Sequence, residues 1–326
     1  MLKIGLIGCG FMGAMHTNCY RNIEDVKITA FADVRREKAE ELCGSSGAKI
    51  YADGKELIEN ADVDIIDICL PTYLHAEYAL LAMEKVKYLF VEKPVALTNE
   101  QAKAMIEKAE STHCNVQIGQ VIRFWDEYME LQKIVEDGRY GKVVNAFFRR
   151  LSPRPDWGWE DWALNPELSG GAAQDLHIHD VDYVLSLFGC PDRFYTVRNA
   201  SGEPNSYIST LFRYGDKVIT VEGTWDLPAT YAFDASFRVV FEKAVVENAG
   251  GRFAVYDREK ITPIVIEKKE LAGATETKGN LSDLGGYYNE LVYFTDRAKA
   301  GERIEKATLQ AASASLEFLL KEIAFS

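Results

Sequence analysis

Apolar residues recur in two rhythms along this chain, and the change between them divides it. Up to about residue 121, short apolar runs alternate with helical patterns. The runs lie at 4–7, 28–32, 65–70, 88–91 and 115–118, and the helical patterns at 12–21, 35–43, 76–85 and 99–111. Runs that stay apolar throughout belong to strands buried on both faces, so this alternation predicts a doubly wound parallel sheet covered by helices. Pro71 stops the third run, and Thr98 with Gln101 three residues on predicts a capping box.

Beyond residue 121 the period shortens to two. Apolar and polar positions alternate over 142–151, 193–199, 207–214, 217–225, 235–241, 252–256 and 261–266, with turn residues such as Tyr214-Gly215-Asp216 and Ala249-Gly250-Gly251 between several of them. Helical patterns fall at 127–136, 172–187, 286–300 and 308–322. Most of the strands have no helix between them, which predicts one large, open, mostly antiparallel sheet. The boundary sits at 119–123, giving expected domains 1–122 for the parallel sheet and 123–326 for the second α/β domain. An open sheet with an apolar free face invites a partner, so a homodimer or homotetramer is expected.

Composition narrows the function class. The chain has 326 residues, 47% hydrophobic and 27% charged, enough for two cores of ordinary size. No apolar run approaches the roughly 20 residues that span a bilayer, and the first element reads as a strand, so no membrane association and no signal peptide are expected. A net charge of -13 argues against a nucleic-acid surface. The six cysteines are scattered without a C-x-x-C pair or metal-ligand spacing. They read as small core residues of a reducing compartment, which points to the cytoplasm and to no metal site.

The first strand runs straight into Gly8-Cys9-Gly10-Phe11-Met12-Gly13. Gly8 permits the tight turn, Gly10 lets the backbone approach a pyrophosphate, and Gly13 lets the helix pack near the sheet. The helix start at Phe11 and Met12 then offers N–H groups and a partial positive charge to phosphate. Asp33, at the end of the second strand, stands where a carboxylate accepts the adenosine ribose hydroxyls. This predicts NAD. Arg35 and Arg36 leave NADP open, since each either holds a 2′-phosphate or lies solvated in the first turn of a helix.

Three further segments carry titratable groups. Pro71-Thr72-Tyr73-Leu74-His75 and Glu92-Lys93-Pro94 follow strands of the parallel sheet, where ligands of such sheets bind. Lys93 either polarises a substrate oxygen or forms a surface turn with Glu92. Ser169–Asp182 is a glycine-led helix start. On a regular α-helix it places Asp175, His179 and Asp182 on one face and His177 roughly opposite. A histidine beside a carboxylate is suited to removing a hydroxyl proton, and the same groups also fit a solvated, capped helix face. Trp157, Trp159 and Trp162 either stack on sugar faces or pack the domain, with Trp162 taken as the pocket candidate and Arg123 at the domain junction as another.

Together, Gly8–Gly13 with His16, Pro71-Thr72 with His75, Glu92-Lys93-Pro94, Asp175–His179 and Tyr287-Tyr288-Asn289-Glu290 resemble the glucose–fructose oxidoreductase / inositol dehydrogenase family over essentially the whole chain. The resemblance implies an N-terminal Rossmann domain, a C-terminal α/β domain with an open sheet, a nicotinamide cofactor, and oxidation or reduction of a sugar, inositol or related polyol. It makes Lys93 and His179 the catalytic pair, with Asp175 supporting substrate and base, and sets His75 and Glu92 near the nicotinamide end. Two positions depart from the pattern: His177 where many similar sequences have a small residue, and Ala172 where a third glycine is frequent. A glycosidase acting by transient oxidation, or a dinucleotide-binding regulatory protein, are the other roles this scaffold hosts.

Overall fold

The computed structural model describes residues 1–155, 158–199, 206–267, 271–272 and 284–325. It divides into two compact units, Met1–Val121 with Lys269–Leu316, and Ile122–Lys268 with Glu317–Ser326.

The first unit alternates as the apolar runs predict: β1 (Leu2–Ile7), α1 (Phe11–Tyr20), β2 (Val26–Ala32), α2 (Arg36–Cys43), β3 (Lys49–Tyr51), α3 (Gly54–Asn60), β4 (Ile65–Ile68), α4 (His75–Ala82), β5 (Tyr88–Val91), α5 (Asn99–Thr112) and β6 (Asn115–Ile118). The six strands are ordered β3-β2-β1-β4-β5-β6 and are all parallel. This is a doubly wound sheet whose order reverses between β1 and β4, the switch point where ligands of such sheets bind. The register puts Ala32, Ile7, Ile68, Val91 and Ile118 in one row across it. The residues that follow them, Asp33, Gly8, Cys69, Glu92 and Gly119, therefore share the carboxyl edge. Ile4, Leu6, Ile66, Leu89 and Phe90 are fully buried between the helical layers, each contributing about 1.5–3 kcal/mol. The capping box is present: Gln101 N–H donates to Thr98 Oγ1 and Thr98 N–H to Gln101 Oε1, both at 3.3 Å. The short β3 and α3 carry too few residues for either period to show. The side chain of Asp53 caps α3 by accepting from Glu56 N–H at 2.9 Å.

The second unit contains α6 (Asp126–Asp137), β7 (Val143–Pro153), a four-residue α7 (Pro166–Ser169), α8 (Ile178–Phe188), β8 (Arg193–Arg198), β9 (Tyr207–Tyr214), β10 (Lys217–Leu227), β11 (Asp234–Phe241), β12 (Val245–Ala249), β13 (Arg252–Tyr256) and β14 (Ile261–Pro263). The eight strands form one sheet ordered β14-β13-β12-β11-β7-β10-β9-β8, antiparallel throughout except where β10 runs parallel to β7. β12 continues the alternation after the three residues 242–244 and escaped the sequence reading.

The chain ends in α9 (Gly285–Ala300) and α10 (Leu309–Ala324). α9 packs on α1, and the described residues 284–316 group with the first unit, whereas the change of period alone marks a single boundary at 119–123. The reason is a long-range contact that local periodicity does not encode. Tyr287, Glu290, Leu291 and Phe294 on α9 are buried, and the Phe294 ring meets Phe90 of β5 edge-on at 5.4 Å.

Candidate functional site

In the first unit the glycine turn is shaped for close approach of a ligand. Gly8 has φ 95°, in the left-handed region, and a side chain there would begin 2.5 Å from the Cys69 carbonyl oxygen. A Cβ on Gly13 would lie 2.0 Å from the Gly8 carbonyl, so helix and strand could not meet. At Gly10 the same position is open, with Arg35 Nη2 nearest at 3.8 Å. Gly10 is also the N-cap of α1 and supplies no side-chain cap. The helix end with Phe11 and Met12, both half-buried, is of the kind that receives an anion. A cradle that a Cβ would fill and a donor set suited to diphosphate fit a dinucleotide. Asp33 closes the turn: its Oδ2 accepts from Cys9 N–H and its Oδ1 from Arg35 N–H, each at 2.8 Å. Arg35 lies over that carboxylate, whereas Arg36 is exposed and paired with Glu40 at 2.8 Å. Burial, and after it the charge of Asp33, pushes the Cys9 thiol up to about 12, which disfavours the thiolate at neutral pH.

Past β4 and β5 the structure gives the sequence candidates unequal exposure. Pro71 is half-buried and Thr72 buried at the start of a short 3₁₀ turn. His75 is buried, with Nδ1 2.7 Å from the Pro94 carbonyl oxygen and Nε2 2.7 Å from that of Leu70. Burial holds its pKa below the usual histidine value, against the pull of the two carbonyls. Both ring nitrogens face main-chain carbonyls of two loops, and a neutral imidazole donates to one of the two. Glu92 is likewise buried: Oε2 accepts from Lys93 N–H at 3.1 Å, and Oε1 lies 3.0 Å from His16 Nε2, off the line of a good hydrogen bond. Lys93 itself is half-buried.

Behind Glu92 sits a group that sequence reasoning left without a role. His16 Nδ1 is 2.8 Å from Asp67 Oδ2, which also accepts from Tyr20 Oη at 2.9 Å, and Cys69 Sγ lies 3.3 Å from the same nitrogen. Burial alone would lower the His16 pKa, but Asp67 overrides it and holds the imidazolium well above the usual value. Among the described residues, His16, Asp67 and Cys69 are the one grouping with metal-ligating atoms close together, and these atoms already pair with one another. Glu290 of α9 is fully buried, and desolvation followed by the charge of Glu92 raises its pKa well above the carboxylate range. The available signal was a polar residue inside an apolar strand: Asp67 in β4 and Gln117 in β6, both fully buried.

In the second unit the candidate segment is wider than an α-helix. Ala173–His177 form a π turn that leads into α8. An i→i+5 ring re-aims side chains relative to strict α spacing, which corrects the expectation of one regular face. Asp175 is half-buried and His179 buried. Asp182 leaves the set, because Arg123 grips it with both prongs, Nε–Oδ2 at 2.6 Å and Nη2–Oδ1 at 2.7 Å. Arg123 thereby clamps the helix that carries Asp182. A second clamp joins Arg150 of β7 to Asp180 at 2.8 Å, with Tyr128 Oη 3.3 Å from the same carboxylate. His177 is fully buried, 3.5 Å from Glu322. Gly223 makes room for it, since a Cβ there would lie 2.9 Å from His177 Cβ. Trp162 is half-buried in a 3₁₀ segment, Trp159 is exposed, and Trp157 lies outside the described residues.

Residues 2–120 match the model of an oxidoreductase family described as an NAD-binding Rossmann fold, and residues 128–247 match the C-terminal domain of the same family. The chain belongs to the GFO/IDH/MocA oxidoreductase family. Its fold class and its NAD-binding unit are those of this family. Among curated relatives, the myo-inositol 2-dehydrogenase of Thermotoga maritima is 31% identical over 191 residues, 58% of this chain and 55% of its own length. The inositol 2-dehydrogenase of Rhizobium meliloti is 28% identical over 79% of this chain and 71% of its own. The D-glucoside 3-dehydrogenase of Escherichia coli is 27% identical over 84% and 76%. The match thus spans little more than half of the Thermotoga relative. The structure of a levoglucosan dehydrogenase with NADH and levoglucosan superposes with TM-score 0.85 at 19% identity, covering 99% of this chain and 97% of that one. A UDP-N-acetylglucosamine 3-dehydrogenase from Acidithiobacillus ferrooxidans follows at 0.80 and 20%, with 99% and 97% covered. At these identities the superpositions establish the GFO/IDH/MocA fold.

Proposed function

We propose that the protein is an NAD(P)-dependent oxidoreductase that moves a hydride between a nicotinamide and a hydroxyl-bearing carbon of a sugar, inositol or related polyol. The observation that carries this is within one unit: Lys93 follows β5 on the carboxyl edge that also bears the Gly8–Gly13 cradle and Asp33. The named activities of the curated relatives support the substrate class. When bound, the nicotinamide supplies the site that accepts or returns the hydride. His179 takes the hydroxyl proton in the oxidative direction, Lys93 stabilises the charge left on oxygen, and Asp175 orients substrate and base. Trp162 is the candidate for the sugar face. A panel of sugars, inositols and amino sugars with NAD and NADP, followed at the NADH absorbance, tests this. Turnover of at least one member is expected. Cofactor binding with no turnover across the panel would favour a regulatory role, and glycoside cleavage without net NADH would favour the glycosidase reading.

The outward face of the eight-stranded sheet supports self-association. Tyr195 of β8 faces Leu211 of β9 in register, and Val197 lies two residues on, all three exposed. Such a patch on a sheet face suits a second copy of the same face in a homodimer or homotetramer. All six cysteines are free thiols, and among the described residues no helix is long and apolar enough to cross a membrane. Both fit a cytoplasmic setting. Light scattering that gives a monomer at micromolar concentration would remove the oligomer.

A further inference from the structure

The residues on both sides of Lys93 end on buried histidines. On the upstream side, Glu92 gives one oxygen to the Lys93 N–H at 3.1 Å and turns the other to His16 at 3.0 Å. His16 is itself tied to Asp67 of β4 at 2.8 Å. On the downstream side, the carbonyl of Pro94 lies 2.7 Å from His75, whose other nitrogen meets the carbonyl of Leu70 at the same distance. We propose that His16 and His75 are positioning residues that fix the backbone of Lys93 by holding Glu92 and Pro94 from opposite sides.

Two features separate this arrangement from ordinary core filling. Burying two imidazoles with Asp67 and Glu92 costs desolvation that apolar side chains of similar volume would avoid. The two chains of contacts also start on different elements, α1 with β4 and α4 with the loop after β4, yet converge on three consecutive residues. Gly119 clears the space for this: a Cβ there would lie 2.9 Å from Glu92 Oε1, so the carboxylate keeps its place only opposite a glycine. The geometry fixes where the Lys93 main chain sits.

The consequence for turnover rests on the reading of Lys93 as a catalytic residue; the consequence for backbone order does not. Hydrogen–deuterium exchange on the full apoprotein tests the second. In His16→Gln and in His75→Asn, exchange in the peptide covering residues 92–97 rises at least about tenfold, as expected when a buried polar group loses its partner, while peptides of β1 and β2 keep their protection. Gly119→Ala, which displaces Glu92 without touching either histidine, gives the same local rise and stands in if a histidine variant fails to fold. In steady-state kinetics the histidine variants lose up to about 100-fold in kcat, the size of a misplacement near 1 Å, with KM and NADH affinity little changed. Unchanged exchange at 92–97, or a rise spread evenly over β1 and β2, would overturn the proposal. Wild-type turnover in Lys93→Ala would instead remove the role of Lys93, with the exchange result still deciding the clamp.

Discussion

Arg35 lies over the carboxylate of Asp33, with Nε 3.3 Å from Oδ1 and Nη2 3.4 Å from Oδ2. The acid that favours the ribose hydroxyls of NAD and the cation that would favour a 2′-phosphate therefore occupy one spot beside Gly10. Asp33 is the better placed of the two for selection, because its carboxylate also closes the glycine turn through Cys9 N–H. Asp33→Ser is expected to weaken NADH binding and bring NADPH to equal or better affinity, through loss of the repulsion and release of Arg35. Arg35→Ala should weaken NADPH more than NADH. Fluorescence titrations with both cofactors check this, and tighter NADPH binding to the unaltered protein would reverse the assignment.

Lys93→Ala and His179→Ala are expected to lower kcat by about 10²–10⁴-fold each, the range for loss of a positioned proton-transfer or charge-stabilising group. NADH affinity should remain nearly intact, because the cradle at Gly8–Gly13 and Asp33 is untouched. Asp175→Asn should fall less far than His179→Ala if Asp175 acts through orientation. Near-normal turnover in both Lys93→Ala and His179→Ala would end the proposed chemistry.

Where local pattern sufficed, the elements of the structure are those read from the chain. β5, β6, β9 and β13 coincide with their apolar runs, since strand period and burial are both local signals. The cradle was legible for the same reason, as a glycine turn must follow its strand directly. What escaped depends on contacts across sequence. Nothing near residue 290 announces that Glu290 is buried beside Glu92 in the first unit. From the chain alone Arg123 is a pocket candidate, and nothing local pairs it with Asp182 or Arg150 with Asp180. The π turn at Ala173–His177 has no compositional mark.

The two arginine clamps on α8 are expected to be needed for stability. Arg150 and Asp180 are almost fully buried. Arg150→Ala leaves the Asp180 carboxylate in a low-dielectric site beside the Tyr128 hydroxyl, at a cost of about 3–5 kcal/mol. Arg150→Met with Asp180→Leu should recover much of that loss, because both charges then go together. Urea denaturation of the two single variants and the double variant measures this, and a double variant no better than Arg150→Ala would show that the pair has a role beyond mutual neutralisation.

Glu290 should make stability fall as pH rises. Its folded pKa is held well above the ordinary value of 4.5 by desolvation and by Glu92. Above pH 4.5 the unfolded chain has released this proton while the folded protein keeps it, so the folded state binds the extra proton and loses stability with each step in pH. The slope from one such group reaches about 1.4 kcal/mol per pH unit and ends once pH passes the folded pKa. His16 adds a fall of the same sign that begins only above 6.5, because its folded pKa is also raised, burial notwithstanding, by Asp67. Between pH 4.5 and 6.5 the two are separable. Glu290→Gln keeps the shape and removes the proton, so the variant gains on the parent protein as pH rises through that window. Thermal unfolding at pH 5.0, 5.5, 6.0 and 6.5 follows the difference; parallel curves would mean that Glu290 is ionised in the folded protein and that Gln117 and His16 carry its charge.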